Sequence, residues 1–193
     1  MGIKTVLLFV FCIGLNPVFA GNLIKLEVEE NDDIYQLHIE MDLDAPADTV
    51  RSVLTDYQHW TQLNPSITAS EIIRTTQKNR IRLATRYERC VLAFCVDLKK
   101  VEDIVEDSDG RIQAFTEPGL SNYQCGRASW TLMDTGHGTR VIHKAIFKPE
   151  IWVPPLIGTS IVKDTIGEEA LVSLQRLECR ARGDCNDYSQ YSY

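Results

Sequence analysis

The chain lacks any apolar run long enough to cross a bilayer, any Cys-x-x-Cys pair, any excess of basic charge and the short motifs of common catalytic machinery. Each absence excludes something. A spanning helix needs about 20 consecutive apolar residues, and the Val6 to Leu15 stretch falls short. With 20 Lys and Arg against 27 Asp and Glu, the net charge is −7 and the pI is near 5.1. That is the wrong sign for a broad phosphate-binding surface, so nucleic acid is not expected as a partner. No His stands near the cysteines at zinc-finger spacing, which removes a structural metal. G-x-S-x-G, H-E-x-x-H, P-loop and G-x-G-x-x-G sequences are all missing, and no cofactor is expected.

What is present reads as one folded domain: 193 residues, 44% hydrophobic and 24% charged. The first twenty residues stand apart. Lys4 precedes the apolar Val6 to Leu15, Asn16-Pro17 breaks it, and Val18-Phe19-Ala20 places small residues at the two positions a signal peptidase reads. Cleavage after Ala20 is expected, with a secreted or periplasmic product. Cys12 lies too deep in the apolar run, behind Val10-Phe11, to serve as a lipoprotein cysteine. The expected division is a signal peptide at 1–20, a single domain at 21–185 and a short polar tail at 186–193. Losing Lys4 takes the basic count from 20 to 19 against 27 acidic residues, a mature charge of −8.

Export places thiols where they tend to pair. Cys90, Cys95, Cys125, Cys179 and Cys185 remain, and an odd number leaves one unpaired. Cys179 and Cys185 close a short loop and form the first expected pair; Cys90 and Cys95 flank Val-Leu-Ala-Phe at a hairpin tip and form the second. Exchange of Cys125 for Cys90 or Cys95 is the alternative. Dimerisation through Cys125, and the oligomeric state generally, stay open.

Period-2 alternation from Ile24 predicts strands. Ile24, Leu26 and Val28 alternate with charged residues; Asn31-Asp32-Asp33 turns; Tyr35, Leu37, Ile39, Met41 and Leu43 alternate again. At Asp44-Ala45-Pro46-Ala47 the period changes, with Asp44 a candidate cap and Pro46 in the first turn. A helix over 47–58 carries Val50, Val53, Leu54 and Tyr57, and a second short turn runs to Leu63. Strands return at 67–76, 79–90, 95–107, 111–117, 126–134 and 139–149. A final helix over 156–179 bears one apolar stripe, including Ile161, Ile166, Ala170, Leu174 and Leu177. Gly158 and Gly167 within it suggest close packing on the sheet. One antiparallel sheet curved around this helix leaves a concavity that a single stripe cannot fill, and such cavities bind small molecules.

Asp44 to Val50, Val53 to Trp60 and Leu63 to Ile67 resemble the signature of the START-like (SRPBCC) helix-grip superfamily, in particular its polyketide cyclase and coenzyme Q-binding branch in exported bacterial form. Gly126 to Leu132, Gly138-Thr139-Arg140-Val141 and Lys148-Pro149 with Trp152-Val153-Pro154-Pro155 are similar to that branch's closing half. The resemblance spans about residues 34 to 180. It implies an α+β helix-grip fold: a curved antiparallel sheet wrapped around a long C-terminal helix, with two short helices after the first strands. The strand near 24–30 and the two-cysteine C-terminus are additions. Arg51, standing where the family usually has an aromatic, implies a more polar cavity wall or neighbouring surface.

The resemblance also turns Trp130, flanked by Ala128 and Leu132, toward the cavity, where an indole can stack on a ligand. Tyr87 and His143 would bring polar groups to the same space, His143 as the partner of a carbonyl or quinone oxygen. Phe115 and Met133 would add apolar wall, and Tyr57, Trp60 and Pro65 would form the gate. The basic residues Arg80, Arg82, Arg86, Lys99 and Lys100 could touch anionic headgroups transiently, or form a solvated face paired with Glu88, Asp97 and Glu102. These residues point to an exported carrier for a hydrophobic small molecule such as a lipid, quinone or polyketide-like compound. The alternatives are a cyclase or aromatase using His143 and Tyr87, and a ligand-free envelope interaction module.

Overall fold

A computed structural model describes residues 21–77, 80–91, 94–154 and 157–185; the expected signal peptide and polar tail lie outside the described residues. Strands β1 (Asn22–Asn31) and β2 (Ile34–Leu43) form a hairpin whose turn places Asp32 and Asp33 at φ 53° and 63°. Two consecutive left-handed residues match the right-handed twist of the flanking strands. Along β2 the alternation is realised as sequence predicts: Tyr35, Leu37, Ile39, Met41 and Leu43 are all buried.

Helix α1 (Ala47–Leu54) is shorter than the 47–58 expected, and its cap differs. Pro46, not Asp44, occupies the N-cap, with no side-chain hydrogen bond to the helix. The backbone N–H of Asp44 is instead held by the buried Glu178 carboxylate at 2.7 Å. At the other end the Trp60 indole N–H donates to the Leu54 carbonyl at 2.9 Å. That bond satisfies a carbonyl left free at the helix terminus, and the chain continues as a 3-10 segment over Tyr57–Gln62.

Strands β3 (Ile67–Gln77), β4 (Arg80–Val91), β5 (Phe94–Glu106), β6 (Ile112–Thr116), β7 (Tyr123–Asp134) and β8 (Thr139–Pro149) complete an eight-stranded antiparallel sheet in the order β1-β2-β8-β7-β6-β5-β4-β3. Strand β7 starts at Tyr123 rather than 126, through a bulge between Tyr123 and Cys125. The turn into β8 sits tightly on the β2–α1 junction: a Cβ on Gly138 would lie 2.1 Å from the Leu43 carbonyl oxygen. Beside it, the buried Thr139 hydroxyl donates to the Ala45 carbonyl at 2.7 Å.

Helix α2 (Gly158–Arg182) packs on α1, β1 and β2. Gly167 is buried there, and a Cβ at this position would be in ordinary van der Waals contact with Leu26 and Val28 at 3.5 to 3.8 Å. A side chain as small as alanine would therefore fit at 167, and Gly158, with φ 68° and nothing within 4 Å of a Cβ, is set by its left-handed backbone and not by the close packing expected from sequence. The helix ends at Gly183 with φ 74°, the left-handed stop that glycine takes most readily. Disulfides join Cys179 to Cys185 and Cys90 to Cys95, the latter across the end of the β4–β5 hairpin. Cys125 is free and exposed. Ile39, Val50, Leu83, Ile104, Ile112, Val141 and Leu177 form the fully buried centre of the core.

Candidate functional site

Between the concave face of the sheet and α2 lies a cavity of about 350 Å³. Strand parity decides which side chains reach it. On β7, Ala128 and Trp130 point inward; on β8, His143, Ala145 and Phe147 do so. Trp130 and His143 are cross-strand partners, with rings stacked at 4.5 Å and only 12° between their planes. Trp60 also packs against Trp130, its ring centroid 5.9 Å away and tilted by 58°. Val91 and Phe94 of the disulfide-closed hairpin, and Ile151, Val153 and Ile157 between β8 and α2, extend the apolar wall.

His143 donates from Nδ1 to the Ser129 carbonyl at 3.1 Å, the only direction open because a carbonyl can only accept. Burial pushes its pKa down to about 4; the Ser129 bond opposes this and the Lys100 charge adds to it. The ring is thus neutral near pH 7, and its proton sits on Nδ1. Nε2 is left as an acceptor, so it suits a ligand hydroxyl and not the carbonyl or quinone oxygen that the sequence suggested.

Tyr87 lines the cavity from β4, its hydroxyl pKa raised above the ordinary value mainly by burial and then by the Glu169 carboxylate. Three other candidates do not reach the cavity. Tyr57 packs edge-on against Trp60 at 5.5 Å, outside the lining, because α1 stops before it. Phe115 alternates with the buried Ala114 and so lies on the opposite face, beneath the Arg127 guanidinium at 5.2 Å. Met133 is 50% exposed, one residue out of phase with Leu132. Pro65 is also exposed, and Arg51 turns to the Gly110 carbonyl and Glu106.

Four charged residues enter the cavity lining. Lys100 and Glu102 share a face of β5 with Leu98, and Arg89 follows Tyr87 on β4 opposite Glu169 of α2. The Lys100 Nζ lies 2.8 Å from Glu102 and over the rings of Tyr123 and Phe147 at 5.4 and 5.9 Å. Burial pulls the Lys100 pKa down, but the Glu102 carboxylate more than restores it, so the amine stays charged and is not a nucleophile. Arg89 Nε approaches Glu169 Oε1 at 3.3 Å, and the Ser66 hydroxyl donates to the same oxygen at 2.9 Å. Arg89 Nε and Glu169 Oε2 are buried without a hydrogen-bond partner. Sequence reasoning had placed Lys100 on an outer basic face; the register turns it inward.

The arginines of that outer face are paired. Arg82 grips Asp103 with two bonds of 2.6 and 2.8 Å, Arg80 adds a third at 2.9 Å, and Arg86 is held by Asp97 and Glu88. Of the partners foreseen for this face, Glu88 and Asp97 do pair there, whereas Glu102 turns inward to Lys100 and the buried Asp103 takes the central place. Among the described residues, no group of three His, Cys, Asp or Glu is placed to hold a metal ion.

A family model described as "Polyketide cyclase / dehydrase and lipid transport" matches residues 36–182. The chain belongs to this family. Solved structures agree on the fold. The protein TTHA0849 of Thermus thermophilus is similar at 17% identity and TM-score 0.65, over 78% of this chain and 99% of that one. An aromatase/cyclase, Zhui, from a Streptomyces species is similar at 12% and 0.64, over 81% and 98%. A STAR-related lipid transfer protein from Xanthomonas axonopodis is similar at 20% and 0.62, over 84% and 98%. No curated protein matches the sequence. Among these relatives of one START-like fold stand both a cyclase and a lipid transfer protein, so fold membership leaves the chemistry to the site.

Proposed function

We propose that the protein is an exported carrier that holds one hydrophobic small molecule between the sheet and α2. The cavity itself carries this reading: about 350 Å³, walled by Trp60, Trp130, Ala145, Phe147 and the apolar stripe of α2. That volume lies within the range of small-molecule sites, and burying apolar ligand surface yields roughly 25 cal/mol per Å² before ordering costs. Export is supported by the signal-like first twenty residues and by two disulfides. Among the described residues no helix is long and apolar enough to cross a membrane.

The carrier reading is favoured over a cyclase by the state of the two polar candidates. A general base works best with a pKa near the operating pH. Burial holds His143 near 4 and pushes Tyr87 up, so neither group is poised near neutral pH for proton transfer. The deciding experiment is to purify the mature protein from its exported compartment, extract it with organic solvent and weigh the extract beside native mass spectra. A stoichiometric hydrophobic molecule supports the carrier. An empty protein would overturn it and favour transient catalysis or a ligand-free partner role.

A further inference from the structure

Resting on the carrier reading, we infer that the cavity selects an uncharged amphiphile whose polar end offers a carbonyl acceptor and a hydroxyl donor, recognised by Lys100 and His143. The ionised side chains lining the cavity are Arg89, Lys100, Glu102 and Glu169. They form two pairs, Lys100 with Glu102 at 2.8 Å and Arg89 with Glu169 at 3.3 Å, so the lining is neutral in sum. An entering carboxylate would surrender its hydration, meet a lysine already neutralised, and lie beside Glu102. An entering ammonium meets the mirror-image problem. A neutral polar group avoids both.

The two recognition groups have complementary hydrogen-bonding capacity. The Lys100 ammonium has three N–H donors, of which Glu102 accepts one while the Tyr123 and Phe147 rings lie beneath the charge. Its remaining donors suit a carbonyl oxygen. His143, its Nδ1 committed to Ser129, presents only an acceptor at Nε2, which suits a hydroxyl. Both line the same cavity: Lys100 lies over the Phe147 ring, His143 stands two inward positions earlier on β8, about 13 Å along the strand, and the Lys100 charge still acts on the His143 imidazole. The Trp130 indole stacked on His143 supplies an apolar surface for the adjoining part of the ligand.

Three probes with the same twelve-carbon chain test this: monododecanoylglycerol, which is neutral and carries an ester carbonyl and hydroxyls, dodecanoate, and dodecylammonium. Binding to the mature protein near neutral pH should favour the neutral ester over either ion by about tenfold or more. Glu102→Gln releases the Lys100 charge and should tighten dodecanoate by about tenfold, while Lys100→Gln releases Glu102 and should do the same for dodecylammonium. Each variant is first checked for a cooperative melt, and either one alone suffices. Equal or tighter binding of an ion by the wild type, or no gain in a folded variant, overturns the selection. Ester binding that survives Ala145→Trp places the probe elsewhere and overturns the carrier reading instead. Failure of all three probes to bind overturns both.

Discussion

The indole of Trp130 and the imidazole of His143 lie face to face across the β7–β8 pair, 4.5 Å apart and 12° from parallel. The contact does more than fill space. It helps to strip water from the imidazole, and desolvation is the main reason the ring stays neutral.

His143 therefore links stability to pH. Its pKa falls from about 6.5 in the unfolded chain to about 4 in the folded one. The folded state binds fewer protons, so the stability present above pH 6.5 is lost as pH falls toward 4. The loss attributable to this group is about 3 kcal/mol between pH 7 and pH 4. Urea melts across that range should show a steeper decline for the wild type than for His143→Phe, which keeps the stack without the titrating group. Parallel curves would contradict the assignment.

Trp130→Ala should cost about 2 to 3 kcal/mol, less than a fully buried tryptophan, because the side chain is only partly enclosed. It should also release a bound hydrophobic probe. Ala145→Trp attacks the same cavity by filling it and should weaken retention while leaving a cooperative transition. Fluorescence titration of an apolar dye with both variants is the measurement, and retention unchanged in both would remove the cavity from the account.

Asp103 is 5% exposed and serves both Arg82 and Arg80. Its pKa is held below the usual carboxylate value chiefly by the Arg82 hydrogen bonds. Asp103→Asn should destabilise by about 2 kcal/mol, since it leaves two arginines short of a charged acceptor in a half-buried setting. Denaturant midpoints at pH 7 test this, and the difference should shrink in acid as the wild-type carboxylate takes up a proton.

Much of the fold was legible because the alternation in β2 and the stripe of α2 are long and regular, and periodicity is strongest where one face is buried. The site was less so. Phe115 and Met133 were assigned by hydrophobicity against their own strand parity: Ala114 and Leu132 occupy the inward register beside them. Tyr57 was carried along a helix that ends early, once the Trp60 indole takes up the Leu54 carbonyl. Lys100 and Glu102 read as part of a solvated outer face, and Arg89 and Glu169 draw no notice, because charged side chains are usually solvated. A signal existed, since Leu98, Lys100, Glu102 and Ile104 alternate on one face whose ends are apolar and buried.

Gly138 tests how tightly the β8 entry is fitted. A methyl group there would collide with the Leu43 carbonyl oxygen, a backbone atom that no rotamer change can move. Gly138→Ala should destabilise by at least about 2 kcal/mol, whereas Gly119→Ala, with nothing within 4 Å, should change the melt little. Thermal unfolding of the two variants side by side decides the point.

Helix α2 is fastened unequally along its two flanks. Toward β1 and β2 it lies on apolar contacts such as Gly167 against Leu26 and Val28. Toward Asn64, Ser66 and Arg89 it is tied by hydrogen bonds and charge: Asn64 to Ser173 at 2.9 Å, Ser66 to Glu169 at 2.9 Å, and Arg89 to Glu169 at 3.3 Å. Prising apart the first flank wets hydrocarbon. On the second, water can take over each polar tie one at a time. The ties on the second flank are thus the ones whose breaking exposes least hydrocarbon, and the helix is held there by polarity and on β1 and β2 by the exclusion of water.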